Sequence, residues 1–411
     1  MTETLALVER KRIATLLEES TRVCIAGTAF VLPISVTATT CCYLLAGFLA
    51  LCSGHWQERW QRIKFNPAAL SFWILICLFL LGLLYTFSPW NLALKDLQKR
   101  HWLLITPFLM ILLTDDRWRL RTINSFLLAM YITLCLSFLK FFGVDIYFQI
   151  TGKYLNGVNV FYEHIVQTFF FSMAAFIIGY RFFYYEKWRW FYGISYLLLT
   201  LNVLFLSDSG TGYVLFLLQL IYIALIRLGW KGFLLGIGLG VILMGTSFLN
   251  FSAMKERAYH IASDYDSYHK GQTITSVGLR IAMWHNAILL IKGRPLTGYG
   301  TGGIRTAMTK NLSPEDIKKT QLLDYVENTI LNFILEFGFL GLIIFLSAIT
   351  IQIVACFYLP HEYKHLMLVF LMLFLMGGLA NSFFVSFCEA HLYSLLAAVC
   401  FSAYPLRKNQ E

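Results

Sequence analysis

Up to about residue 250 the chain is a train of apolar stretches joined by short basic links. From Phe251 to Val326 it turns polar, charged and turn-rich, and it then returns to apolar stretches that run to Tyr404. A helix needs about 20 apolar residues to cross a bilayer. The stretches that approach this length are 22–36, 37–53, 67–88, 101–114, 122–143, 160–180, 190–206, 211–228, 231–249, 328–356, 361–381 and 387–405. They predict an all-α polytopic membrane protein of about twelve transmembrane helices. Helices one to nine occupy 1–250, one large loop 251–326, and helices ten to twelve 327–411. The first two stretches come from a single run, divided near Leu32-Pro33, where a proline can turn the chain. The fourth is short.

The distribution of Lys and Arg fixes the sides. Inner loops of membrane proteins carry the excess of basic residues. With the N-terminus inside, the inner segments hold Arg10, Lys11 and Arg12; Arg59, Arg62 and Lys64; Arg117, Arg119 and Arg121; Arg181, Lys187 and Arg189; Arg227 and Lys231; Lys364; and Arg407 and Lys408. Among the short outer links only 89–100 is clearly basic, with Lys95, Lys99 and Arg100. Both termini are therefore expected in the cytoplasm and the 251–326 loop outside. Its ten basic and six acidic residues do not oppose this, because long loops translocate largely regardless of charge.

Composition agrees. Hydrophobic residues make up 58% of the 411 positions and charged ones 14%, well below the roughly 25% of soluble domains. The net charge of +10 might suggest nucleic acid, but the basic residues sit in links between spans, where topology accounts for them. No nucleic-acid partner is expected; membrane lipids are. All nine cysteines lie in or beside apolar stretches, with no CxxC pair and no zinc spacing. The N-terminal stretch is amphipathic and lacks the short apolar core and cleavage site of a signal peptide.

The loop and its borders carry the chemistry. A polar start, Lys255 to Thr275, holds His260, Asp264, Asp266, His269 and Lys270. SVGLRIAMWHNAILLIKGRP then reads as an amphipathic helix, with Ser276 as N-cap and Gly293 and Pro295 as its stop. Arg280 and Trp284, four apart, share a face. Arg280 is either a lipid headgroup anchor or a bidentate phosphate ligand. The Gly-rich run Gly298, Gly300, Thr301, Gly302 is either a tight turn between helices or a cradle of backbone N–H groups for an anion. Glu327, at the outer mouth of span ten, either caps the helix N-terminus or takes a proton from a sugar hydroxyl. Asn328 beside it can orient a hydroxyl or diphosphate. Glu336, nine residues deeper, is either packed against a polar partner or functional. His164, Gln167, Ser207, Asp208 and Ser209 fall at the same outer depth.

GLRIAMWHNAILLIKGRPLTGYGTGG, followed by ENTILNFILEFGFLGL, resembles the signature region of the O-antigen ligase family, a superfamily shared with O-antigen polymerases. YEHIVQTFFFSMAAF and NVLFLSDSGTGYVLFLLQL resemble it too, so the likeness covers roughly Val160 to Leu342. The resemblance implies a twelve-span inner-membrane glycosyltransferase that works without cofactor or metal. Its donor would be a polysaccharide on undecaprenyl diphosphate, its acceptor a sugar of the lipid A core, and its site periplasmic. By the same resemblance Arg280 holds the diphosphate and Pro295 to Gly302 is the family's Gly-rich element. Two positions depart: Gly210 stands where the family usually has an Arg, and Glu327 where it usually has a His. An ionised Glu327 keeps a proton acceptor there. Arg280 and Glu327 are thus expected to be catalytic. Asn328, Trp284, His164, Gly298, Gly300, Thr301 and Gly302 are expected to bind substrate. A polymerase, a protein-glycosylating ligase and a transporter are the alternatives. A transporter predicts internal repeats, and none is visible.

Overall fold

The computed structural model describes residues 2–405 except 55, 145–154, 156, 251–253, 257, 258, 261, 265–274, 316 and 318–323. Asp266, His269, Lys270, Arg407 and Lys408 lie outside the described residues. Every regular element among those described is helical. In chain order they are α1 (Thr2–Val31), α2 (Val36–Cys52), α3 (Trp56–Lys64), α4 (Pro67–Leu83), α5 (Trp90–Gln98), α6 (His101–Met110), α7 (Asp116–Phe141), α8 (His164–Tyr184) and α9 (Arg189–Leu201). A π-turn (Asn202–Leu206) ends α9, and then follow α10 (Gly210–Asn250), α11 (Ser276–Gly293), α12 (Ile304–Asn311), α13 (Thr329–Cys356), α14 (His361–Gly378) and α15 (Phe387–Phe401).

The chain is an all-α membrane protein. Asp116–Phe141, His164–Tyr184, Arg189–Leu206, Gly210–Asn250 and Thr329–Cys356 are each long and apolar enough to cross a bilayer. The bent pair α2 and α3 makes a sixth if it is one span. Pro33 turns the chain as expected: α1 stops at Val31, and Ser35 caps α2 by accepting the Ala38 N–H at 3.3 Å. The short fourth stretch is α6, whose 10 residues rise only about 15 Å, half a bilayer core.

Two helices break at glycine. In α10, Gly229 takes φ 61°, ψ −143°, which folds the helix into two arms. The arms meet where small residues allow it: a Cβ at Gly236 would lie 2.9 Å from the Ile221 Cα. In α13, Gly338 takes φ 67°, ψ −169°. A broken helix leaves carbonyls without partners, and in an apolar setting each must find one. The Gly-rich turn supplies them. Tyr299 N–H donates to the Leu335 carbonyl at 2.8 Å, and Gly300 N–H to that of Glu336 at 2.7 Å. Phe339 N–H returns the exchange to Pro295 O at 2.8 Å.

The same turn clips onto α4: Thr301 N–H donates to Gly82 O at 3.2 Å, and Thr301 Oγ1 to Phe79 O at 2.6 Å. A small apolar core of Met283, Ala287, Leu290, Tyr299, Ala307 and Leu335 fixes α11 and α12 against α13. A larger core runs through the spans.

Gly300 (φ 77°) tests this joint, since a Cβ there would meet the Thr86 Cα at 2.5 Å and Gly82 O at 2.6 Å. Gly300→Ala is expected to destabilise the detergent-solubilised protein by roughly 2–5 kcal/mol, combining left-handed strain with overpacking. Gly238→Ala, whose Cβ meets nothing within 4 Å, is expected to leave the thermal midpoint unchanged or higher. Equal midpoints for both variants would contradict the joint.

Candidate functional site

The site assembles where α11, the segment before α13, the loop between α14 and α15, and the start of α10 converge. The N-cap of α11 is Thr275, one residue before the expected Ser276: its Oγ1 accepts the Gly278 N–H at 3.1 Å. The first turns of α11 then carry Arg280 and Trp284 on one face. Trp284 Nε1 donates to the Glu327 carbonyl at 3.1 Å, tying α11 to the mouth of α13. Arg280 Nη2 donates to Asn381 Oδ1 at 3.3 Å.

The N-cap of α13 is Asn328. Its Oδ1 accepts the Leu331 N–H at 3.0 Å, and its Nδ2 donates to Leu379 O at 2.8 Å. Capping is therefore done by Asn328, and the Glu327 carboxylate is left for other work. Burial pushes the Glu327 carboxyl above its ordinary range; the Arg280 guanidinium and a Ser382 backbone N–H pull the other way. Tyr325 is also raised by burial, and then by Glu327, Asp324, Glu389 and Glu163 nearby. The site thus pairs one guanidinium with a group of carboxyls, among them the buried Glu389 of α15.

Asn381 was not among the expected residues. It is buried and uses its whole amide: Oδ1 accepts from Arg280, and Nδ2 donates to Gly377 O at 3.1 Å and Thr211 Oγ1 at 3.3 Å. Its carbonyl accepts from Thr329 Oγ1 at 3.2 Å. The only signal in the sequence was a short polar ANS between two apolar spans. Thr211 follows Gly210, where the resembled family carries Arg, so the glycine lies one residue from this network.

The other expected residues fall out as follows. Ser209 Oγ accepts from the Gly212 N–H at 3.1 Å and from Thr168 Oγ1 at 3.0 Å, joining α10 to α8. Gln167 holds the 158–160 strand of chain to α8, accepting from Val160 N–H and donating to Val158 O. His164 opens α8, half-buried, and its carbonyl accepts from Thr168 Oγ1 at 2.6 Å. Asp208 is exposed.

The Gly-rich turn has a different character from a cradle of open amides. The N–H groups of Gly298, Tyr299, Gly300, Thr301 and Gly303 donate to Arg294, Leu335, Glu336, Gly82 and Gly300 carbonyls, and that of Gly302 to Glu336 Oε1 at 3.0 Å. Glu336 thereby has the polar partner its depth required. Among the described residues no three His, Cys, Asp or Glu side chains gather as a metal site.

Residues 194–346 match a family model described as O-antigen ligase. The chain is also 33% identical over 106 residues to an uncharacterized protein of Haemophilus influenzae. That match covers 25% of this chain and 26% of the relative, about a quarter of its length. The matched family segment runs from α9 through Arg280 and Glu327 into α13, and over that segment the chain is similar to the O-antigen ligase family.

Proposed function

We propose that this chain is an inner-membrane glycosyltransferase that moves a surface polysaccharide from undecaprenyl diphosphate to the lipid A-core oligosaccharide at the periplasmic face. Twelve spans, cytoplasmic termini and a periplasmic 251–326 loop are part of this reading. The observation that carries it is the placing of Glu327, a half-buried carboxyl, within electrostatic range of the Arg280 guanidinium at the mouth of α13. Glycosyl transfer from a diphosphate uses both: a cation for the leaving group and a base for the acceptor.

In the reaction, the acceptor hydroxyl oxygen attacks the anomeric carbon of the donor sugar while the bond to the diphosphate oxygen breaks. Glu327 takes the hydroxyl proton. The charge released onto the diphosphate is met by Arg280, which Asn381 holds in place. A single in-line displacement inverts the anomeric centre. Trp284, through its bond to the Glu327 carbonyl, sets the distance between base and cation. His164 and Asn328 border the same outer face. The Gly-rich residues 298, 300, 301 and 302 serve by positioning α11, since their amides are already donated.

Arg280→Ala is expected to lower polymer transfer by roughly 100-fold or more while the protein still inserts in the membrane. A complementation gel with full-length polymer on the core would refute the role. For Glu327 the sign follows from its raised pKa: the working carboxylate exists above that pKa and is lost as pH falls through it. The acid limb of kcat/KM is therefore expected above the ordinary carboxylate range, and to move higher still in Arg280→Gln, which removes the main opposing charge. Glu327→Gln is expected to lose about 100-fold and to flatten the limb; an unchanged profile in that variant excludes the base role. Loss of the gene is expected to leave long polymer on its lipid carrier. Single repeats on the core would instead identify a polymerase, and loss of a glycoprotein a protein ligase.

A further inference from the structure

The basic outer link 89–100 takes no part in the transfer chemistry above. It forms α5, and α5 is one wall of a cavity of about 310 Å³. The cavity is lined by Lys95, Asp96 and Lys99 on that side, and by Gly302, Arg305 and Asp324 on the other. Its charges are unequal. Asp96 is buried and paired with the buried Arg100 at 3.3 Å. That leaves three cations, Lys95, Lys99 and Arg305, against the single exposed carboxylate of Asp324. Among the described residues Lys95 makes no ion pair or hydrogen bond.

Asp324 shows how an oxygen anion sits in this place: it lies 3.2 Å from Arg305 Nη1 and 4.0 Å from Lys99 Nζ. All three of these side chains are about half exposed, so an entering anion can share or take that position. Arginine with lysines at such spacing suits phosphoryl oxygens.

The cavity also has a fixed relation to the transfer site. The short segment 324–328 joins them in sequence. Its Asp324 lines the cavity, while Glu327, three residues on, lies within electrostatic range of Arg280. The floor of the cavity is Gly302, held rigid by Glu336.

We propose that this cavity binds a phosphoryl substituent on a sugar of the acceptor, and so selects acceptors that carry one. The assignment to the acceptor rests on the transfer reading above, in which the donor diphosphate lies at Arg280. The phosphoryl group is held by Lys95, Lys99 and Arg305, and the acceptor hydroxyl then reaches Glu327 around the 324–328 segment.

The test is binding, which does not require turnover. The full-length protein in phosphatidylcholine nanodiscs is titrated with a lipid A-core preparation, and with the same material after its sugar phosphates are removed by hydrofluoric acid. The wild type is expected to bind the dephosphorylated material about tenfold more weakly, the loss of two or three partly exposed charge-assisted contacts. In Lys95→Ala/Lys99→Ala the two affinities converge. Equal affinities in the wild type overturn the proposal, and so does a preference that survives in the lysine variant. Nanodiscs containing phosphatidylglycerol separate the sources: a preference abolished by that lipid assigns the cavity to bilayer headgroups and overturns the acceptor role. Arg280→Ala is titrated in parallel. A preference kept there supports the cavity whatever the fate of the transfer reading; one lost there but kept in the lysine variant assigns the phosphoryl group to Arg280 instead.

Discussion

A helix that breaks inside an apolar bundle must have its loose carbonyls met, and this protein meets them with a turn from elsewhere in the chain. Gly338 opens α13, and the amides of Tyr299 and Gly300 close the gap. An unmet backbone group in such surroundings costs several kcal/mol, so the turn has little freedom to sit anywhere else. Its position sets that of α11 before it and α12 after it. Arg280 inherits its place from α11, and Arg305 its place from α12.

On that frame, polar contacts reach across elements far apart in sequence. Asn381 reaches from the loop before α15 to Arg280 on α11 and to Thr211 at the start of α10. Trp284 reaches from α11 to the backbone of Glu327. Each bond is an ordinary one, worth about 1 kcal/mol net. Together they hold one cation and one half-buried carboxyl within electrostatic range of each other, at the ends of helices.

Much of this was legible in the residues. The apolar stretches, the turn at Pro33, the α11 helix and the shared face of Arg280 and Trp284 follow from local periodicity and capping chemistry. The pairing of Glu327 with Arg280 was readable as a common depth, though not as proximity. Three things were not readable, for a shared reason. Asn381 looks like any polar residue in a short loop. Gly338 looks like a tolerated glycine in an apolar span, since its left-handed φ leaves no trace in composition. The Gly-rich turn looked like an anion cradle as much as a joint, because the distant acceptors of its amides lie on α13, more than thirty residues later, and on α4, far earlier in the chain. The cap expected of Glu327 falls instead to Asn328, whose side chain turns back on the helix.

The saturated turn has a further consequence. A loop whose amides are all committed cannot remould itself around sugars of different shape. Under the proposed transfer reading, any breadth in the glycans accepted has to reside in the side chains that ring the turn, which can be exchanged one at a time without disturbing the scaffold. Rigid backbone and replaceable rim are then separate layers, one fixed by the fold and the other free to vary.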